Sequence, residues 1–273
     1  VTDGPEVMVV SEDFPGIPLT RALSAASGAD LALKLRVFAA AAATLARFHS
    51  HGFVHRDIRP EHVLVRRTDE GPDVRISGLG LARRVLSGVG LRVSGGRVEG
   101  SLPYMSPEQT GRTSHDVDQR SDLYALGVCF FEVLGGRLPF DSDDPMEIIH
   151  GHVAREPPPL VAIDPDLPQP VSDLVARLLA KAPEDRYATA RGLFADLDAL
   201  ATALEAKGTT DGVVLTGAVA PPRVAPPSRN YGRAHEIAAL SGAVRDAAEG
   251  STRVVLLEGP SGVGKTALAS EIQ

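Results

Sequence analysis

Between residues 30 and 77 the hydrophobic pattern changes period twice around one short charged segment, and that order constrains the chain more than any other feature. From Asp30 to about His51, Leu31, Leu33, Leu35, Phe38, Ala41, Leu45 and Phe48 mostly follow helical spacing, which predicts one long helix. Gly52 is a natural C-terminal stop for it. Two short apolar segments, "HVLV" at His62 and "VRIS" at Val74, then flank "RRTDEGPD", which predicts a hairpin. Wedged between helix and hairpin is His55-Arg56-Asp57-Ile58-Arg59-Pro60-Glu61-His62. Such a placement fixes a carboxylate, guanidinium groups and imidazoles on a loop braced from both sides.

The pattern around this centre is mainly helical. "EVMVV" reads as a strand running into a Gly and Pro turn, and Leu19 to Ala25 as a short helix. Residues 78–107 are rich in Gly and Ser without periodicity, which predicts a long functional loop or a mobile one. Helices are expected at Asp118–Gly135, Pro145–Ala154, Val171–Ala180 and Thr189–Ala206. The stretch from Gly208 to Gly232 contains two Pro pairs and reads as linker. Beyond it come a helix (Arg233–Glu249), a strand (Arg253–Glu258) and a glycine loop.

Composition removes several classes of function. A net charge of −7 without a basic stripe leaves no footprint for nucleic acid or anionic lipid, so nucleotides or proteins are the expected partners. The single cysteine, Cys129, lies in an apolar run, excludes a disulfide framework within the chain and is expected to be a buried thiol. No apolar stretch approaches the roughly 20 residues of a membrane helix, and the opening "VTDGPEVMVV" has no basic n-region, so a cytoplasmic location is expected. Both ends are expected to be truncations. His49, His51 and His55 surround a helix end and His150 and His152 form H-x-H, but without a Cys neither group predicts zinc.

Phosphoryl transfer to a hydroxyl needs a carboxylate to accept the proton, a cation near the γ-phosphate and ligands for Mg²⁺ on one rigid loop. "HRDIRPEHVLV" resembles the catalytic loop of protein kinases, H-R-D-L-K-P-x-N. The resemblance implies that Asp57 is the base, that Arg56 reads a phosphorylated activation loop, and that Arg59 replaces the phosphate-contacting lysine. "GSLPYMSPEQ" is similar to the end of an activation segment, with Ser106-Pro107-Glu108 at A-P-E. "SDLYALGV" is similar to D-x-W-x-x-G, with Tyr124 for Trp, and "APEDRYATA" supplies Arg186 as the expected ion-pair partner of Glu108. Arg56, Glu108, Asp122 and Arg186 are structural on this reading. Ser87, Ser94 and Ser101 fall where activating phosphorylation would occur.

Departures from the pattern bear on function. Gly78-Leu79-Gly80 stands where kinases carry D-F-G, and His62 stands in place of the second metal ligand, Asn. Glycine offers no carboxylate, and an imidazole suits softer metals than Mg²⁺. Only about ten residues precede the presumed hinge at Ser11–Asp13, with no G-x-G-x-x-G, and Lys34 is expected to be a solvated surface residue.

"GPSGVGKT" satisfies G-x-x-x-x-G-K-[ST] between a strand pattern and a helix pattern. Gly259, Gly262 and Gly264 let backbone N–H groups turn toward phosphate, Lys265 supplies a charge for the β- and γ-phosphates, and Thr266 offers a hydroxyl to Mg²⁺. The upstream "YGRAHEIAALSGAV" resembles the entry helix of AAA and related signalling ATPases. The whole is similar to the N-terminal part of bacterial multidomain sensor histidine kinases, which implies ATP and Mg²⁺ as cofactors, an unknown protein substrate or regulator, and further domains of the same chain. The expected fold is mainly α (α+β): a kinase-like C-lobe with hinge over 1–206, its small lobe mostly missing, a linker over 207–230 and the start of a P-loop NTPase over 231–273. Three functions stay open: a signalling module with impaired phosphotransfer, an active atypical kinase using Asp57, and a non-catalytic interaction scaffold.

Overall fold

A computed structural model describes residues 13–24, 31–85, 99–217 and 234–248, with 250, 252, 254–256 and 258. The backbone clusters into two units, 1–221 and 222–273. In the first, β1 (Ile17–Pro18) and α1 (Leu19–Ser24) lead to α2 (Leu31–Ser50), the long helix expected from the periodicity. Next come β2 (Phe53–Val54), the hairpin β3 (Val63–Thr68) and β4 (Gly71–Ile76), and β5 (Arg83–Arg84). The order β1-β3-β4 forms one antiparallel sheet and β2 pairs with β5. The hairpin register runs from Val63 opposite Ile76 to Thr68 opposite Gly71, so Asp69 and Glu70 make the turn.

The remainder of this unit is helical: α3 (Gln119–Gly135), α4 (Pro145–Ala154), α5 (Leu160–Ile163), α6 (Gln169–Leu178) and α7 (Ala190–Lys207). The sequence places α3 one residue early because Asp118 is its cap, its carboxylate accepting from Arg120 N at 2.8 Å. Helix α3 is buried almost all round, from Ser121 to Phe131, and so forms the axis of the core. Phe130 stacks on Phe38 of α2 with ring centroids 3.9 Å apart. Gly127 is required where α3 meets α6, since a Cβ there would lie 2.6 Å from Leu178 Cβ.

The alanine run of α2 presents Ala39, Ala41 and Ala42 to the interior, where small side chains permit close approach. Outside that contact, Arg36 bridges to α7 through Glu205 at 2.9 Å and Thr202 at 3.1 Å. Lys34, expected in water, is half-buried on the same helix.

The second unit contains α8 (Ala234–Ala248). Of the strand expected at Arg253–Glu258, Val254, Val255 and Leu256 are described and belong to no ladder, and Val254 is 93% exposed. A strand is defined by its pairing partner, and none exists for it among the described residues. The phosphate-loop residues Gly259, Gly262, Gly264, Lys265 and Thr266 lie outside the described residues, as do Ser87, Ser94 and the "EVMVV" segment. Among the described residues no helix is long and apolar enough to cross a membrane.

Candidate functional site

The charged loop is pinned from beneath by one buried carboxylate. Asp122, 1% exposed on α3, accepts from His55 N and Arg56 N, both at 2.8 Å, and pairs with His49 Nε2 at 2.8 Å. With three donors its charge is compensated inside the lobe. Arg56 is held at φ +70°, the only described non-glycine residue in the left-handed region. That conformation is retained because the neighbouring backbone bonds over-determine it. The buried His55 donates through Nε2 to Ser77 O at 2.8 Å and accepts from Asp57 N at 3.3 Å through Nδ1. Both nitrogens are used by a neutral ring, and burial accordingly lowers its pKa.

Asp57 emerges from this braced loop. One carboxylate oxygen accepts from Ser101 N at 3.2 Å; the other lies 3.4 Å from His62 Nδ1 and 3.8 Å from Arg59 Nε. His62 Nδ1 donates to Asp57 O at 2.7 Å, which leaves Nε2 as the acceptor for Arg59 Nη2 at 3.2 Å. The imidazole lone pair is therefore already engaged by a guanidinium.

Against the face of that ring lies Gly78, at φ +78° and ψ 38°. A Cβ at residue 78 would sit 2.5 Å from His62 Cγ, Cδ2 and Cε1, too close for any side chain. The imidazole thus fills the volume in which a side chain on residue 78 would begin. The two substitutions read separately in the sequence are one steric unit.

These residues do not fit a Mg²⁺ ion. Residue 78 has no side-chain oxygen to give, both His62 ring nitrogens lie within bonding distance of Asp57 O or Arg59, and among the described residues no group of three His, Cys, Asp or Glu could hold a metal. What remains is a carboxylate, a guanidinium and an imidazole packed against Gly78, and Gly78 also lines an open groove. The groove, about 1040 Å³, runs along α2 and the hairpin from Asp13 and Phe14 past Leu64 and Ile76 to Gly78.

The chain returning at residue 99 is anchored to the same loop. Glu99 pairs with Arg56 Nη2 at 3.1 Å, Gln109 Nε2 donates to Arg56 O at 2.7 Å, and Gly100, at φ +119°, passes close over that carbonyl. Glu108 meets Arg186 in a two-pronged pair at 2.7 and 2.9 Å, both side chains being buried, and also accepts from Ser121 Oγ at 2.6 Å. Arg186 also donates to Ala180 O, Lys181 O and Arg120 O and lies 4.8 Å from the Tyr124 ring centre. Tyr124 therefore supplies the π-face at this position, and its hydroxyl bonds His152 Nδ1 at 2.9 Å. Burial first, and the nearby Lys181 second, lower the pKa of His152 to about 4.

The structure thus gathers Arg56, Asp57, Arg59, His62 and Gly78 in one place, with Asp122 beneath them, and sets Glu108 and Arg186 at the root of the returning segment. Sequence reading missed Glu99, Gln109 and the partnership of His152 with Tyr124. Glu99 is the acid just before "GSLPYMSPEQ" and Gln109 its last residue, but neither position signals its contact with Arg56.

Comparison with known proteins agrees with this geometry. The model of the protein kinase domain matches residues 1–196 and that of the AAA ATPase domain matches residues 229–273. Serine/threonine-protein kinase PknB of Mycobacterium tuberculosis is 33% identical over 194 residues, 71% of this chain and 30% of that protein. Serine/threonine-protein kinase Pkn1 of Myxococcus xanthus is 35% identical over 188 residues, 68% of this chain and 26% of that protein. Hybrid signal transduction histidine kinase G of Dictyostelium discoideum is 54% identical over 95 residues, 35% of this chain but 3% of that protein. The chain spans less than a third of each of these three relatives. By its matched domain and the architecture of its lobe, the chain belongs to the protein kinase family, as a serine/threonine-kinase-like domain followed by AAA ATPase sequence.

Proposed function

We propose that this chain is a kinase-like regulatory module of a multidomain, ATP-linked signalling protein, in which phosphotransfer by the kinase lobe is impaired. The observation that carries the reading is the His62 ring lying where a side chain on residue 78 would begin. A kinase lobe with both metal positions altered keeps the groove and its braced loop but loses the means to neutralise a triphosphate during transfer. On this reading Arg56, Asp122, Glu108 and Arg186 maintain the lobe, and Asp57 is a carboxylate retained in the scaffold.

Nucleotide chemistry then falls to the second module. Gly259, Gly262 and Gly264 would line a phosphate loop, Lys265 would contact the β- and γ-phosphates and Thr266 would face Mg²⁺. The likeness to hybrid histidine kinase G supports a signalling context in which the kinase-like lobe acts on domains of its own chain or on a protein regulator. A second reading, an atypical kinase using Asp57 as base and Arg59 as phosphate contact, is favoured by one observation: Arg59 Nε stands only 3.8 Å from the Asp57 carboxylate.

The test is the thermal stability of the chain carrying Lys265→Ala, which silences the phosphate loop, titrated with ATP with and without Mg²⁺. The proposal predicts that Mg²⁺ adds nothing to any shift produced by ATP. A Mg²⁺-dependent shift that Asp57→Ala abolishes would establish the second reading instead.

A further inference from the structure

We infer that residues 210–217 are a docking strap by which the kinase lobe grips the chain leading to the ATPase module, with the Asp196 carboxylate as its latch. These residues lie beyond the protein kinase match, which ends at 196, and before the ATPase match, which begins at 229. Their composition reads as linker, yet they are laid against the lobe. Thr210 is 1% exposed, and Val213 and Leu215 pack on the core while Val214 between them is 76% exposed. That alternation is the period of an extended segment with one face on a surface.

The latch is built for a specific stretch of backbone. Asp196, 3% exposed on α7, accepts from Thr216 N and Thr216 Oγ1 at 3.2 Å, from Gly217 N at 2.9 Å and from Tyr187 OH at 2.8 Å. A buried carboxylate needs several donors, and three of these four come from the strap. Gly217 adopts φ +65°, a left-handed conformation that favours glycine, and a Cβ there would lie 2.8 Å from Arg177 Nη1, so a larger residue would also displace that guanidinium. Arg177 is itself stacked over the Tyr187 ring at 4.4 Å. Tyr187 follows Arg186, the partner of Glu108, so the latch and the root of the 99–110 segment share neighbouring residues.

The consequence is a control on reach. With the strap held, residues 218–228 connect Gly217 to the ATPase match, and a chain of that length spans at most about 40 Å. Released back to Gly208, where α7 ends, the connection spans at most about 70 Å. The local concentration of one module around the other falls accordingly. The lobe would thereby set how closely the ATPase module is kept, without any chemistry of its own.

Two measurements on the 273-residue chain test this. In the first, amide exchange over 213–217 should be at least about tenfold slower than in a free chain, and both Asp196→Asn and the strap-side pair Val213→Ser/Leu215→Ser should remove that protection while α3 amides keep theirs. If Asp196→Asn unfolds the lobe, seen as lost protection in α3, the strap-side pair decides alone, because it replaces only partly buried residues of the strap and none on α2, α3, α6 or α7. In the second, spin labels at Lys207→Cys and Arg245→Cys, which buried Cys129 leaves uncontested, should show a longer and broader distance distribution when the strap-side pair is introduced. Exchange at free-chain rates in the wild type, or an unchanged distance distribution after release, would overturn the proposal.

Discussion

Replacing Gly78 by Asp, the change that restores the carboxylate of D-F-G, should destabilise the lobe unless His62 is changed with it. At φ +78° any L-residue pays a left-handed penalty of about 1 kcal/mol, at the low end because Asp tolerates that region. A new Cβ 2.5 Å from three atoms of the His62 ring adds overpacking of about 1–3 kcal/mol, since Asp57 O and Arg59 hold the ring in place. Gly78→Asp alone should therefore cost about 2–4 kcal/mol. In a His62→Asn background the overpacking disappears and only about 1 kcal/mol remains, leaving a coupling of about 1–3 kcal/mol between the sites. Urea unfolding of the four-protein cycle measures it, with the single variant losing about 1–2 M in midpoint and the double variant recovering most of that. Additivity within about 0.5 kcal/mol would refute the claim that His62 fills the volume beside residue 78. If the ancestry is that of an active kinase, the double variant should also gain Asp57-dependent phosphotransfer; no gain would count against it.

Acidification should weaken the lobe through His152. Its folded pKa of about 4 lies below the ordinary 6.5, so the unfolded chain binds the proton first, and stability is lost as pH falls from about 6.5 toward 4. Between pH 7 and pH 5 that amounts to about 2 kcal/mol, with His55 acting in the same direction, and His152→Gln should flatten the midpoint-versus-pH curve in this window. Arg186→Ala should cost about 3–5 kcal/mol by stranding the buried Glu108, and chemical denaturation would show a loss far beyond that of any surface arginine. Glu99→Gln should raise amide exchange at residues 99–101 severalfold while α3 stays protected, because the partner it leaves, Arg56, is pinned by Asp122; unchanged exchange would show the Glu99 pair to be incidental.

The architecture was legible where local signals carry it. Helical spacing from Leu31 to Phe48 located α2 to within a residue at each end, and "RRTDEGPD" marked the hairpin turn. The motif order placed Asp57, Glu108, Asp122 and Arg186 because those residue types at that spacing serve one fold. What the sequence hid depends on contacts between distant positions. Gly78 and His62 read as two independent losses, although each is shaped by the other across sixteen positions. Tyr124 read as a substituted Trp and His152 as half of an H-x-H, yet their shared hydrogen bond explains both. Thr210 to Gly217 read as linker because Gly, Thr and Val in short alternation carry no signal of docking until Asp196, on another element, supplies the acceptor. The strand expected at Arg253–Glu258 is described only in part, and Val254, Val255 and Leu256 have among the described residues no partner of the kind an apolar run needs to become a strand.

The central proposal, a kinase lobe in which phosphotransfer is impaired by the residues at 62 and 78, is tested most directly by transfer of the γ-phosphoryl group from labelled ATP and Mg²⁺ to the chain itself and to a generic serine-rich protein. The comparison is wild type against Asp57→Ala, both in a Lys265→Ala background. The account predicts equal, background-level labelling in the two proteins. Labelling present in the first and absent in the second would contradict it.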